Sequence, residues 1–314
     1  MTQIVSLSEV SDSNRGGVIS IGNFDGVHRG HAALLSEVRR LADQLAGPAV
    51  AVVLDPHPAS ILRPQQTPAR LTWIERRAKL MSPLGIDFLV VCETTREFLR
   101  LSAATFFESL VVGQLAAGAM VEGPNFFFGR DRGGDVPLLR SLCEQAGVKL
   151  SIAAPASANG EMISSTRIRR LLSEGNLTAA TTLLGSCYRI RGRVVAGAKR
   201  GRVIGFPTAN LSAVDVVVPA AGVYGGFAIV EDKRFRAAIH IGPAPTFQRD
   251  GASTIEVHLI DFAGDLYGTL LQVDFVHHVR EIARFDSADQ LAKQLARDIE
   301  SIRSRLASWG THQS

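Results

Sequence analysis

The 314-residue chain is poor in cysteine, with three in all, and Cys92, Cys143 and Cys187 stand far apart. They form no metal-ligand spacing and leave an odd count, which fits a reducing compartment, each thiol being a small core residue. Long apolar runs are also missing. The longest stretches, such as Ala49 to Leu54, fall far short of the ~20 residues a membrane helix needs. The start, Met1-Thr2-Gln3-Ile4, lacks the basic segment and apolar core of an export signal, so a cytoplasmic location is expected. Charge of one sign is scarce too. A net charge of +4 without a basic run suits anionic small molecules and argues against nucleic acid and membrane as partners. No repeat or low-complexity segment appears. What is present is 46% apolar residues and only 20% charged ones, in a chain long enough for two domains with separate cores.

The most informative run is Gly22-Asn23-Phe24-Asp25-Gly26-Val27-His28-Arg29-Gly30-His31. It lies between a predicted strand, Val18 to Ile21, and a helix marked by Leu34, Leu35, Val38, Leu41 and Ala42 at helical spacing. His28 and His31 then fall at the first helical turn, where unpaired N–H groups and the positive end of the helix dipole favour an anion. Glycine admits close approach of a ligand to the backbone. Two imidazoles add donors that meet charge as it builds on a phosphoryl group. A surface turn with two solvated histidines is the plain alternative, yet turn chemistry needs neither histidine.

From residue 17 to about 155 apolar runs alternate with helical patterns. Val18 to Ile21, Ala49 to Leu54, Phe88 to Val91, Ala119 to Val121 and Leu150 to Ala153 read as buried parallel strands. Ligands then bind beyond the carboxyl ends, where the histidine loop and Asp55-Pro56-His57-Pro58 both emerge. Two short helices, Ser165 to Glu174 and Asn176 to Leu184, end at Gly175 and Gly185, and the boundary is placed there, giving domains 1–185 and 186–314. Beyond it the rhythm changes to short strands, Tyr188 to Val195, Val223 to Val230, Phe235 to Ile241, Ile255 to Asp261 and Leu271 to Phe275, which suggests an antiparallel barrel. A last helix starts in capping-box register at Ser287 and Gln290, with Leu291, Leu295, Ile299, Ile302 and Leu306 on one face for core packing.

Three further segments carry chemistry. Ile163-Ser164-Ser165-Thr166-Arg167-Ile168-Arg169 opens a helix with hydroxyls and adds two arginines; an N-cap and a solvated basic face would explain it by itself, but it follows the last strand of the sheet that carries the histidine loop. In the second half, Gly197 to Arg202 is rich in glycine and basic residues and leads into Gly205-Phe206-Pro207-Thr208-Ala209-Asn210. Pro207 stiffens the backbone before Thr208 and Asn210, whose neutral oxygens suit Mg²⁺ bridging nucleotide phosphates. The strand Thr254 to Leu259 alternates, so Glu256 and His258 share the face opposite Ile255, Val257 and Leu259.

Through these segments the chain resembles the bacterial bifunctional riboflavin kinase/FAD synthetase family from about residue 17 to 305, with five motifs in order. The resemblance implies a Rossmann-like α/β nucleotidylyltransferase domain followed by an antiparallel β-barrel riboflavin kinase domain with a C-terminal helix. It implies that riboflavin is phosphorylated by ATP to FMN, and that AMP is then transferred from ATP to FMN to give FAD and pyrophosphate, with Mg²⁺. In the first domain it makes His28 and His31 catalytic and gives Gly22, Asn23, Phe24, Asp25, Gly26, Gly30, Ser164, Ser165, Thr166, Arg167 and Arg169 to ATP. Asn125, Phe126 and Phe128 of Gly123-Pro124-Asn125-Phe126-Phe127-Phe128-Gly129 become flavin contacts, a Phe-rich core loop being the alternative. Asp25 and Asp55 are further candidates for a metal or water. In the second domain Gly197, Arg202, Thr208 and Asn210 take ATP, Thr208 and Asn210 hold Mg²⁺, Glu256 is the general base for the ribityl hydroxyl, and Arg280 is a flavin-loop residue. An adenylyltransferase for another substrate would leave Thr208, Asn210 and Glu256 idle. A non-catalytic nucleotide sensor or RNA-binding protein would use none of this chemistry.

Overall fold

The computed structural model describes residues 1–197, 201, 205–242, 253–307 and 309. The chain forms two compact units, one of Met1–Pro68 with Thr72–Ser165, the other of Ala69–Leu71 with the chain from Thr166 onward.

In the first unit, strands β1 (Gln3–Ser6), β2 (Val18–Ile21), β3 (Ala49–Asp55), β4 (Phe88–Glu93), β5 (Ala119–Glu122) and β6 (Lys149–Ile152) form one sheet in the order β1-β4-β3-β2-β5-β6. All its pairings are parallel. β2 is buried along its whole length, as expected for a strand covered on both faces. Helix α1 (Arg29–Leu45) turns Leu35, Val38 and Ala42 inward, where they join Val18, Ala51 and Val121 on one face of the sheet. The other face packs Ile19, Val52 and Met120 against Phe106, Leu110 and Leu139. Helices α2 (Pro58–Leu62), α3 (Ile74–Met81), α4 (Ala103–Phe106), which runs on as a π-helical segment Phe107–Gln114, and α5 (Val136–Ala146) complete the layers, with a small hairpin of β7 (Ser157–Ala158) and β8 (Glu161–Met162). Of the six strands of this sheet, only β1 has no counterpart in the sequence reading. It is a mostly exposed edge strand, too polar to show as an apolar run.

The second unit is a closed barrel of β9 (Tyr188–Val195), β10 (Ala209–Ser212), β11 (Gly222–Val230), β12 (Lys233–Gly242), β13 (Thr254–Leu259) and β14 (Leu270–Arg280), in the order β10-β13-β12-β11-β14-β9. Every pairing is antiparallel. Helices α6 (Ser165–Ser173) and α7 (Leu177–Leu184) precede it, and α6 is tied to it where Ala220 donates its N–H to the Leu172 carbonyl at 2.9 Å. The rhythm of the sequence thus changes some twenty residues after the contacts do. Helix α8 (Ala288–Leu306) is capped by Ser287, whose side chain accepts from the Gln290 N–H. It buries Ile302 and Leu306 against Phe227 and Ile260. The expected architecture, a parallel α/β unit followed by an antiparallel barrel and a last helix, is the one the chain adopts. Cys92, Cys143 and Cys187 are free and buried.

Candidate active sites

In the sheet order, the chain leaves β2 toward β3 on one side while β5 lies on the other, so the crevice at their carboxyl ends is the switch point where open parallel sheets bind ligands. The loop after β2 is built against its own backbone preference. Phe24 and Val27 both adopt left-handed φ, 45° and 40°, beside Gly26 at 87°. For a β-branched residue such as Val27 this is strained, at roughly 1–2 kcal/mol per residue. Both side chains are buried, and burial of each contributes about 1.5–3 kcal/mol, enough to offset it. A polar anchor fixes the same turn: Asp25 Oδ1 accepts from the Thr72 N–H at 2.9 Å and the Thr72 hydroxyl at 3.1 Å. Buried Arg77 of α3 donates to Asp25 at 3.4 Å and to the Thr72 carbonyl at 3.0 Å.

That turn delivers His28 as the N-cap of α1, its Nδ1 accepting from the His31 N–H at 3.2 Å. An acceptor Nδ1 places the proton of the neutral ring on Nε2. The rings of His28 and His31 stack with centroids 3.6 Å apart. Gly30 makes room for this, because a Cβ there would press on the His28 ring at 3.1 Å. Burial, then the nearby His28 and Arg77, hold the His31 pKa well below 6.5, so His31 is a neutral imidazole. Its Nδ1 is buried with no hydrogen-bond partner among the described residues.

Neighbouring loops close around the turn. His57 accepts from the Ala59 N–H on Nδ1 at 3.0 Å, and its Nε2 lies 2.9 Å from the Asn23 amide; the atom of that amide facing the ring is Nδ2. Ser165 donates its hydroxyl to the Asp25 carbonyl at 2.8 Å. Ser164 is half-buried just before α6 and Thr166 is exposed within it. In the second unit Arg169 donates from Nε to the Ala69 carbonyl at 2.6 Å, and Arg167 is half-buried on α6. After β5, Asn125 is exposed and Phe126 half-exposed. Phe128 belongs to the core with 5% exposure, stacked on Phe126 at 5.5 Å. Packing explains Phe128, and Phe126 packs partly buried against the same core. Thr72, Arg77 and Glu122 escaped the sequence reading. Arg77 looks like a solvated helix position beside Arg76, whereas Glu122 had a visible signal, a lone carboxylate closing an apolar strand.

In the barrel the site is made by register. Asn210 on β10 lies opposite Glu256 on β13, and Glu256 opposite His240 on β12, and opposed residues share a face. Thr208 donates its hydroxyl to Glu256 Oε2 at 3.4 Å. His258, two residues along the same face, donates from Nδ1 to the Pro207 carbonyl at 2.8 Å. Burial holds the His240 pKa below its usual value, with Glu256 opposing and Arg280 adding to the effect. A Cβ at Gly197 would overlap the Asn210 amide, so glycine is needed for that amide to lie where it does. Arg280, the expected flavin-loop residue, grips buried Asp298 of α8 with Nε and Nη2 at 3.0 and 2.9 Å, and its Nη1 donates to the Glu281 carbonyl at 2.9 Å. Arg202 lies outside the described residues. Among the described residues no three His, Cys, Asp or Glu side chains gather as a metal set. The Thr208 and Asn210 oxygens do fit a Mg²⁺ that draws most of its ligands from water and phosphate.

Fold and sites together define a two-part phosphoryl-transfer enzyme, with an α/β nucleotidyl-transfer unit and a barrel kinase unit. The family model described as FAD synthetase matches residues 10–167, and the riboflavin kinase model matches 184–306. The bifunctional riboflavin kinase/FMN adenylyltransferase of Pseudomonas fluorescens is 36% identical over 313 residues, covering 100% of both chains. That of Escherichia coli K12 is 37% identical over 284 residues, 90% of each. The chain belongs to the bifunctional riboflavin kinase/FMN adenylyltransferase family. Among solved structures, one from Streptococcus pneumoniae described as a macrolide-efflux protein superposes with a TM-score of 0.84 at 29% identity, covering 96% of this chain and 98% of that one. Among the described residues here no helix is long and apolar enough to cross a membrane.

Proposed function

We infer that the chain makes FMN from riboflavin and ATP in its barrel, and FAD from FMN and ATP in its α/β unit, within the domains 1–185 and 186–314. The observation that carries this reading is the co-linear, nearly full-length match to relatives that bear both activities in one name. In the barrel, Glu256 takes the proton of the terminal ribityl hydroxyl as its oxygen attacks the γ-phosphorus of ATP and ADP leaves. Thr208 and Asn210 would hold Mg²⁺, which supplies charge neutralisation to the phosphates, with Gly197 and Arg202 in the same nucleotide site. Arg280 is the flavin-loop residue of this unit.

In the α/β unit the FMN phosphate attacks the α-phosphorus of ATP and expels pyrophosphate. A phosphate monoester has its second pKa near ~6, so the nucleophile is charged at neutral pH and needs no base. His28 and His31 orient ATP and meet developing charge. The turn Gly22 to Gly26 and Gly30 admits the phosphates; Ser164, Ser165, Thr166, Arg167 and Arg169 are ATP-binding residues, and Asn125 and Phe126 are flavin contacts. The engaged Oδ1 of Asp25 suits loop anchoring better than metal binding. Three buried free thiols suit a reducing cytoplasm. Incubation of the purified chain with riboflavin, ATP and Mg²⁺ is expected to yield FMN, FAD, ADP and pyrophosphate. Unmodified riboflavin would refute the reading.

A further inference from the structure

The floor of the first crevice holds a group that the mechanism above does not use. β5 is paired with β6 over its full length, from Ala119 opposite Lys149 to Glu122 opposite Ile152, and the Ala153 N–H bonds to the Glu122 carbonyl at 2.8 Å. β2 is paired with β3 as far as Ile21 opposite Val52, and the Gly22 N–H then bonds to the Val52 carbonyl at 2.9 Å. Between them, however, β2 and β5 pair only at Val18 with Ala119 and Ile19 with Met120. Over their last two residues the strands remain held on their outer edges and part on the inner one. Glu122 fills the gap, its Oε1 accepting the Ile21 N–H at 2.7 Å. A backbone carbonyl makes this bond only at ladder spacing, near ~4.8 Å between strands, whereas a glutamate side chain bridges a wider one.

Glu122 is 2% exposed. By alternation it lies on the same face of the sheet as Met120, toward apolar Ile19, Leu139 and Cys143. Among the described residues, the titratable group coupled to it is the Cys143 thiol, itself pushed up to about 11, mainly by burial. Among the described residues no cation pairs with the carboxyl, and burial holds its pKa well above the usual range. One carboxyl oxygen accepts the Ile21 N–H whatever the protonation of the other. Immediately after Ile21 comes the histidine loop, and immediately after Glu122 comes the loop of Asn125.

We propose that Glu122 is a positioning residue for adenylyl transfer, a spacer whose carboxyl group sets the gap between the histidine loop and the Asn125 loop. The proposal rests on the function inferred above. A spacer works by length and by hydrogen bonding, not by charge. Three full-length variants separate these properties, with FAD formation from FMN and ATP measured beside FMN formation from riboflavin. E122Q keeps both length and acceptor, and its kcat for FAD formation is expected within about threefold of the parent. E122D keeps the carboxyl but loses a methylene, and a roughly tenfold fall in kcat is expected with the KM for ATP nearly unchanged, since misplacement of reacting groups by about 1 Å costs up to ~10²-fold. E122V loses the acceptor and is expected to fall furthest, while FMN formation stays at the parental rate in all three. Full activity of E122D, or a loss in E122Q as deep as in E122D, would overturn the proposal. Should E122V fail to fold by circular dichroism, the contrast between E122Q and E122D decides. Absence of FAD formation by the parent chain would instead refute the underlying function.

Discussion

The two units place reactive groups by opposite means. In the α/β unit the groups follow one another along a single loop, and the backbone is bent into left-handed conformations at Phe24 and Val27 to present them. In the barrel they come from separate strands, and the regular ladder aligns Asn210, Glu256 and His240 without an unusual dihedral at any of the three. A loop site needs an anchor, supplied here by Asp25, Thr72 and Arg77. A ladder site has its anchor already, since side chains at opposed positions inherit the spacing of the strands. The difference predicts where each is fragile: the loop at its buried support, the barrel at the few atoms that touch substrate.

The sharpest break between the units is expected from Glu256→Gln. Loss of the base should lower FMN formation by up to ~10⁴-fold while FAD formation from supplied FMN continues. Normal turnover of riboflavin by this variant would remove Glu256 from the mechanism. His28→Ala should do the converse, lowering FAD formation by about 10² to 10³, the loss typical of one transition-state donor, and sparing FMN formation. Equal loss of both products would contradict the division of labour. A smaller effect tests the ladder itself. Gly197→Ala puts a methyl where the Asn210 amide lies; only a side-chain tip must move, so folding should survive while kinase kcat/KM for ATP drops about tenfold, or ~1.4 kcal/mol. Steady-state kinetics and a thermal melt on one preparation check both halves of that statement.

The smallest effect is one of pH. The folded His31 pKa is depressed, so the unfolded chain binds that proton first as pH falls. The contribution of neutral His31 is therefore whole above the unfolded value near ~6.5 and is lost progressively below it. Between pH 7.5 and 5.5 the parent chain should lose about 1 kcal/mol more stability than His31→Gln. Parallel denaturation curves for the two proteins would show that His31 is not held neutral.

The histidine loop was legible because its residues are contiguous and their types exceed what a turn requires. So was Glu256, on an alternating strand. Phe128 was not, since a Phe-rich loop reads alike whether its rings line a ligand or the core, and burial alone distinguishes them. Arg280 reads as an available cation until Asp298, eighteen residues later, turns toward it from a helix. Arg77 and Thr72 sit far along the chain from Asp25 with no periodic signal connecting them. β10 is four residues long, too short for alternation to show, although Asn210 depends on it for its place.

Periodicity and residue type determined the two architectures and the change between them, because apolar spacing is a local property of a chain. Tertiary structure decided which reactive groups are free to act. Burial neutralises His31, an ion pair occupies Arg280, packing claims Phe128, and a single carboxyl at Glu122 holds two strands apart. Each of these depends on atoms distant in sequence, whose fields and contacts exist only once the chain has folded.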